Sequence, residues 1–150
     1  MTAWKEFEQQ APDIAEFGKA RFQSGVAYIG TLRLDGGPRV HPCTPIIGEQ
    51  SFLFMEPTSP KGKDLLRDPR YTLHCAVEDS SGGNGEFYVR GQGVLTNNSL
   101  LREQAVRASS YAPADRYILF MFTVEFAFMN IYVDGKSESQ RWQSKDEPKI

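Results

Sequence analysis

The chain has 150 residues, 40% of them hydrophobic and 24% charged, with a formal net charge of −2. This is the composition of one ordinary globular domain with enough chain for a real core. A nearly balanced charge draws the protein to neither nucleic acid nor an anionic membrane, no apolar run is long enough to span a bilayer, and two cysteines are too few for a disulfide scaffold.

The polar start, Met1-Thr2-Ala3-Trp4-Lys5-Glu6, does not read as a signal peptide, so the expected setting is the cytoplasm with reduced thiols. Residues 1–150 read as a single domain, with no linker and no internal repeat. Two helical pieces are expected over 3–24. Thr2 is placed to cap the first, Pro12-Asp13 to restart the second, and Gly25 to close it. Val26 to Leu34 is rich in strand formers, and Asp35-Gly36-Gly37 signals a hairpin into a return strand from Arg39 to Ile47. A short strand follows over Ser51 to Met55, then a helix from Pro60 that Pro69 stops at Asp68.

Tyr71 to Glu78 reads as an apolar strand, and Asp79 to Gly85 as a flexible surface loop. The strand from Phe87 to Thr96 is interrupted by Gly91 and Gly93, a pattern that predicts a bulge or a close approach by another backbone or a ligand. Asn97 or Asn98 caps a helix from Ser99 to about Ser110. Tyr117 to Val133 is too long for one typical strand, so a break is expected within it. Asp134-Gly135 turns the chain into a last strand near Trp142, and a loose tail is expected over 144–150. Six or seven antiparallel strands with a few helices make the chain mainly β and favour a small barrel with peripheral helices over a doubly wound sheet.

The candidate site lies at the start of the helix that Pro60 opens. Ser59 suits the N-cap and Pro60 the first helical position, so the turn offers free N–H groups and a positive dipole end. Lys61 and Lys63 add charge there. Between Lys61 and Arg70, four cations (Lys61, Lys63, Arg67, Arg70) face two anions (Asp64, Asp68), a local net of +2 in a chain that is −2 overall. Arg39 can reach the same spot across the sheet. Together these predict a phosphorylated ligand.

His41, Cys43, His74 and Cys75 are residue types that bind zinc, but His74 and Cys75 are adjacent on a strand and point to opposite faces. No metal site is expected, and both thiols read as small core side chains. No nucleophile sits on a strained turn beside a base, so no hydrolytic site is expected and no catalytic residue is assigned. Tyr132 and Trp142 either flank a cofactor ring or close the barrel end or the dimer seam. The phenylalanines between Ile118 and Phe128 exceed the needs of one half-buried strand, which fits a dimer contact.

Three segments, TLRLDGGPRVHP (31–42), SPKGKDLLRDPR (59–70) and GEFYVRGQG (85–93), in this order and spacing, resemble the pyridoxamine 5'-phosphate oxidase-like family of flavin-binding split barrels. The resemblance covers 4–142. It implies a six-stranded antiparallel Greek-key split barrel that forms a homodimer, with flavin-type cofactors in the grooves between protomers. It implies that Arg39 supports the cofactor's phosphate or ribityl chain. Val40, His41, Pro42 and Thr44 lie on the strand that runs along the ring system, Phe54 and Met55 lie where the next strand passes it, and Ser59 and Lys61 match the phosphate-binding loop.

Three departures from the family pattern stand out. Pro60 replaces an arginine, for which Lys63 is the substitute. Glu86 replaces a glutamine near the ring, and Ser137 to Lys145 lacks the C-terminal Arg-x-His that grips a substrate phosphate. Vitamin B6 oxidation is therefore not expected. The leading expectation is an FMN-dependent oxidoreductase acting on a small-molecule redox substrate. A deazaflavin-dependent reductase is the close alternative, and a flavin or haem carrier without turnover the second. Haem is the poorer ligand, because its handlers in the family rely on a C-terminal histidine and none follows His74. The third alternative is a dimer that has lost its cofactor.

Overall fold

The computed structural model describes residues 2–145. The two N-terminal helices are α1 (Trp4–Gln10) and α2 (Pro12–Gln23), with Pro12 at the first position of α2. Each buries one face: Trp4 and Phe7 from α1, and Ile14, Ala15, Gly18 and Phe22 from α2. A Cβ at Gly18 would sit 2.1 Å from the Phe87 ring, so the missing side chain is what lets α2 settle on the sheet.

Thr2 does not cap α1. The N-cap position is Ala3, and the Thr2 hydroxyl instead shares a 2.6 Å hydrogen bond with the Ser144 hydroxyl. Ser144, where a loose tail was expected to begin, is buried, and its N–H donates to the Glu125 carbonyl at 2.8 Å. Residues 146–150 lie outside the described residues.

The strands are β1 (Ala27–Leu32), β2 (Pro38–Cys43), β3 (Ile46–Ile47), β4 (Ser51–Met55), β5 (Arg70–Cys75), β6 (Glu86–Thr96), β7 (Ile118–Phe122), β8 (Phe126–Val133) and β9 (Lys136–Gln143). The remaining helices are α3 (Pro60–Arg67) and α4 (Ser99–Ala108). Neighbours run β2-β1-β5-β6-β7-β4-β3, with β8 between β6 and β9, and all of these strand pairs are antiparallel. The sheet curls into a split barrel with the helices at its edges.

Nine segments replace the expected six or seven because two expected strands are broken. The return strand stops at Thr44-Pro45, where proline has no N–H to give the ladder. The long C-terminal run breaks at Thr123–Glu125, as its length predicted.

Strand β6 turns the sheet on itself. Its first part pairs with β5 and β8, and from Gly93 onward it pairs with β7. The switch falls at the two glycines. A Cβ on Gly91 would lie 2.4 Å from the Thr123 carbonyl oxygen, so the predicted close approach by another backbone is the β7–β8 break. Thr123 and Gln92 lock that crossing with N–H to O bonds in both directions, each 2.9 Å. The Tyr71 hydroxyl donates to the Thr123 carbonyl at 2.6 Å. The main core fills the inside of the curl with Ile29, Leu73, Phe87, Val89, Phe120 and Phe122, while Phe52, Phe54 and Leu119 pack with α4 in a second cluster.

Candidate functional site

Strand β2, the end of β4 and the start of α3 meet in one groove of about 480 Å³, within the usual range of small-molecule sites. Of the residues singled out in the sequence, His41, Pro42, Thr44, Phe54, Met55, Ser59 and Lys61 line it. Phe54 and Met55 are buried and form its floor. Gly62 lets α3 close onto that floor, because a Cβ there would stand 2.9 Å from the Met55 sulfur. Arg39, Val40 and Lys63 are not among the lining residues; Val40 is 66% exposed on the outer face of the sheet, and Lys63 is exposed on α3.

The helix start differs from the sequence reading in one respect. Ser59 occupies the N-cap position with Pro60 next to it, but its side chain makes no cap. Its hydroxyl accepts a 3.2 Å bond from the Lys61 ammonium, and only its carbonyl serves the helix, accepting from the Lys63 N–H at 3.1 Å. The hydroxyl meets the ammonium and not the first-turn N–H groups. The first turn therefore keeps its N–H groups without a side-chain acceptor, beside a lysine that is already positioned.

Arg39 approaches this site but is tied behind it. Its Nε donates to Asp64 Oδ2 at 2.7 Å, and the buried carboxylate also accepts from the Thr31 hydroxyl at 2.8 Å and from Arg67 at 3.0 Å. Asp64 is buried because α3 turns that position inward against β1 and β2. Burial alone raises the Asp64 pKa. The bonds from Arg39, Thr31 and Arg67 outweigh it and hold the carboxyl below its usual range. Arg67 also donates to the Leu32 carbonyl at 2.8 Å, which stitches α3 to the β1 end.

Electrostatics in the groove are simple. Burial, then the charges of Lys61 and Arg39, push the His41 imidazole below its ordinary pKa, so it is neutral at pH 7. Burial pushes the Cys43 thiol up to about 12, which keeps it protonated and inert. Glu56 at the rim is paired with Arg116 at 2.5 Å, and Arg116 lies 5.2 Å over the Tyr117 ring. Tyr111 and Tyr117 also line the groove, and burial raises the Tyr111 phenol.

Sequence reasoning missed this part of the groove. Tyr111, Arg116 and Tyr117 come from the irregular stretch between α4 and β7, far along the chain from α3, and no local periodicity marks them. The stretch is held by Arg102, which donates to the Tyr117 carbonyl at 2.8 Å.

The remaining candidates fall elsewhere. Trp142 packs on Phe7 at 4.9 Å, a core contact at the barrel end, and Tyr132 covers Gly82. Glu86 accepts from the Asn130 amide at 3.3 Å and does not line the groove. His74 bonds the Cys75 carbonyl through Nδ1 at 2.6 Å. Among the described residues, no group of three metal-ligating side chains is placed to hold an ion. No helix among them is long and apolar enough to cross a membrane.

No protein-family model and no curated protein sequence matches the chain. Its fold is nevertheless shared with solved structures. A NimC/NimA family protein from Clostridium acetobutylicum superposes with a TM-score of 0.62 at 17% identity, over 87% of this chain and 94% of the other. A haem-binding protein from Mycobacterium smegmatis gives 0.63 at 17% identity, covering 83% of this chain, which spans 57% of the mycobacterial one. A Listeria innocua protein that bears the pyridoxamine 5'-phosphate oxidase name gives 0.58 at 11% identity, over 73% and 91% of the two chains. The protein therefore has the split-barrel fold of the pyridoxamine 5'-phosphate oxidase-like proteins, as the three sequence segments implied. Within that fold, neighbours of similar likeness carry different named activities, so function rests on the groove.

Proposed function

We propose that the protein is a flavin-dependent oxidoreductase that binds FMN in this groove as a homodimer and acts on a small-molecule substrate other than pyridoxamine phosphate. The observation that carries the reading is convergence. Residues from β2, β4 and the start of α3, separated in sequence, meet around one groove, with Lys61 bonded to Ser59 and uncapped backbone donors at its α3 end.

On this reading Lys61, Ser59 and the first-turn N–H groups of α3 hold the phosphate, Lys63 reaches it from the next position, and Arg39 adds charge from behind. Val40 to Thr44 runs along the ring, while Phe54 and Met55 support it from below. A bound flavin supplies the hydride or electron transfer, and the chain supplies position, water exclusion and a neutral imidazole at His41. The deazaflavin coenzyme would use the same lysine-bearing turn.

The homodimer is supported by the outer face of the sheet. The paired positions Pro42, Tyr28, His74, Tyr88 and Phe128 form one row across it. Tyr28 is 45% exposed, Tyr88 packs against Phe128 at 5.4 Å, and Arg90 lies 4.2 Å over Phe126. This row begins at Pro42, a groove residue, so a protomer covering the face would also close the groove. A haem carrier of the same fold is the second reading, favoured by the haem-binding mycobacterial neighbour.

The test is the double change Lys61→Ala with Lys63→Ala. Charge-assisted bonds to phosphate are the strong ones, so FMN affinity is expected to fall by about tenfold or more with the fold retained. Unchanged affinity in a folded double variant overturns the phosphate site.

A further inference from the structure

The charges around the groove define what else it accepts. Four of the residues lining it bear on its charge: Glu56, Lys61, His41 and Cys43. Glu56 is neutralised by Arg116 at the rim, His41 and Cys43 are uncharged at neutral pH, and Lys61 is the cation left over. Once a cofactor phosphate occupies Lys61, the groove presents no free charge to a second molecule. What remains is the pair of aromatic rings of Tyr111 and Tyr117, which line the same groove as Pro42.

We propose that the substrate taken up beside the cofactor is a planar, uncharged aromatic compound, and that Tyr111 is the residue that selects it. The proposal rests on the flavin reading of the groove. An anionic substrate would be desolvated against these rings without a counter-charge, a cost that a carboxylate or phosphate does not recover without a paired cation. A neutral ring loses little on leaving water and gains edge-to-face or offset contact with the two tyrosines. The Tyr111 hydroxyl is free to orient a single acceptor on such a ring. This also gives a physical reason why no substrate-phosphate grip stands in Ser137–Lys145. Tyr117 is the less adjustable of the pair, because Arg116 lies over its ring and its carbonyl is held by Arg102.

The experiment uses 2-naphthol and 2-naphthoate, flat probes of one size that differ in charge at pH 7. Binding of each is measured by calorimetry or saturation-transfer NMR to the wild type and to Tyr111→Ala, with and without saturating FMN. FMN affinity is read separately from the flavin absorbance. On the FMN-loaded wild type, naphthol is expected to bind at least tenfold tighter than naphthoate. Tyr111→Ala is expected to weaken naphthol at least fivefold. Equal binding of the two probes to the loaded protein, or a Tyr111→Ala variant that holds naphthol as well as the wild type, overturns the proposal.

If FMN does not bind at all, the cofactor reading fails on its own arm. The selector role is then read on the unloaded protein, where Tyr111→Ala must still weaken naphthol, and no effect there overturns it. A Tyr111→Phe variant separates the ring from the hydroxyl. It should keep naphthol binding within threefold, and a loss as large as that of the alanine variant shifts the selection to the hydroxyl and overturns the stacking argument.

Discussion

Asp64→Ala is expected to lower the stability of the protein by about 3 kcal/mol, the range for removing one partner of a buried, hydrogen-bonded ion pair. The carboxylate side chain is 3% exposed and accepts from Thr31, Arg39 and Arg67 at 2.7–3.0 Å. Its removal strands the buried Thr31 hydroxyl and leaves Arg39 and Arg67 side by side without the anion between them. The discount is that both arginines reach solvent, with side chains 29% and 36% exposed, so water recovers part of the loss.

For a domain of this size the loss corresponds to a drop in melting temperature of about 6–12 °C, read by thermal unfolding followed by circular dichroism. Asp64→Asn should keep part of the Thr31 bond and fall in between. An alanine variant that melts with the wild type would mean that the hub contributes nothing. The pH dependence has a definite sign. The Asp64 carboxyl is held below its unfolded value, so its stabilisation is complete above that value, near pH 4, and is lost as the pH falls through the folded pKa.

Gly91→Ala carries an effect of similar size by a different route. The new Cβ would lie 2.4 Å from the Thr123 carbonyl oxygen and 2.9 Å from its hydroxyl, and the first of these is backbone that cannot rotate away. Relief requires β6 to move from the β7–β8 break, loosening the Gln92–Thr123 bonds and the Tyr71 hydroxyl bond at that crossing. The expected cost is about 2–4 kcal/mol, measured as a shift in the urea midpoint. Gly25→Ala is the control, because nothing lies within 4 Å of a Cβ there, and it should stay within about 0.5 kcal/mol of the wild type. A Gly91→Ala protein as stable as that control would show that the crossing is not tightly packed.

These residues also show how far the sequence could be read. The two glycines in β6 announced a close approach, and the excess length of 117–133 announced a break. The structure shows that the two features are one crossing, a relation no local pattern contains. Pro60 and Pro69 bracketed α3 well, because proline acts through its own backbone and needs no tertiary partner. The Ser59 and Thr2 caps failed for the opposite reason: the Ser59 hydroxyl bonds Lys61, and Thr2 lies one residue before the N-cap with its hydroxyl on Ser144.

Asp64 was counted in the sequence only as one of two anions against four cations. Its inward position, and with it the engagement of Arg39, depends on how α3 packs under β1 and β2. The groove's first wall was legible because β2, β4 and α3 carry a family-like pattern. The Tyr111–Tyr117 wall was not, since an irregular segment has no periodicity to declare which side chains face inward.

The most direct measurement of the central claim is a visible absorbance titration of the purified protein with FMN, run in parallel with the deazaflavin coenzyme and with haem. The groove reading predicts saturable uptake of FMN, one per chain, with a shifted two-banded flavin spectrum and loss of that uptake in the Lys61→Ala, Lys63→Ala protein. A folded protein that leaves the FMN spectrum unperturbed at every concentration, or that takes up haem alone, would contradict it.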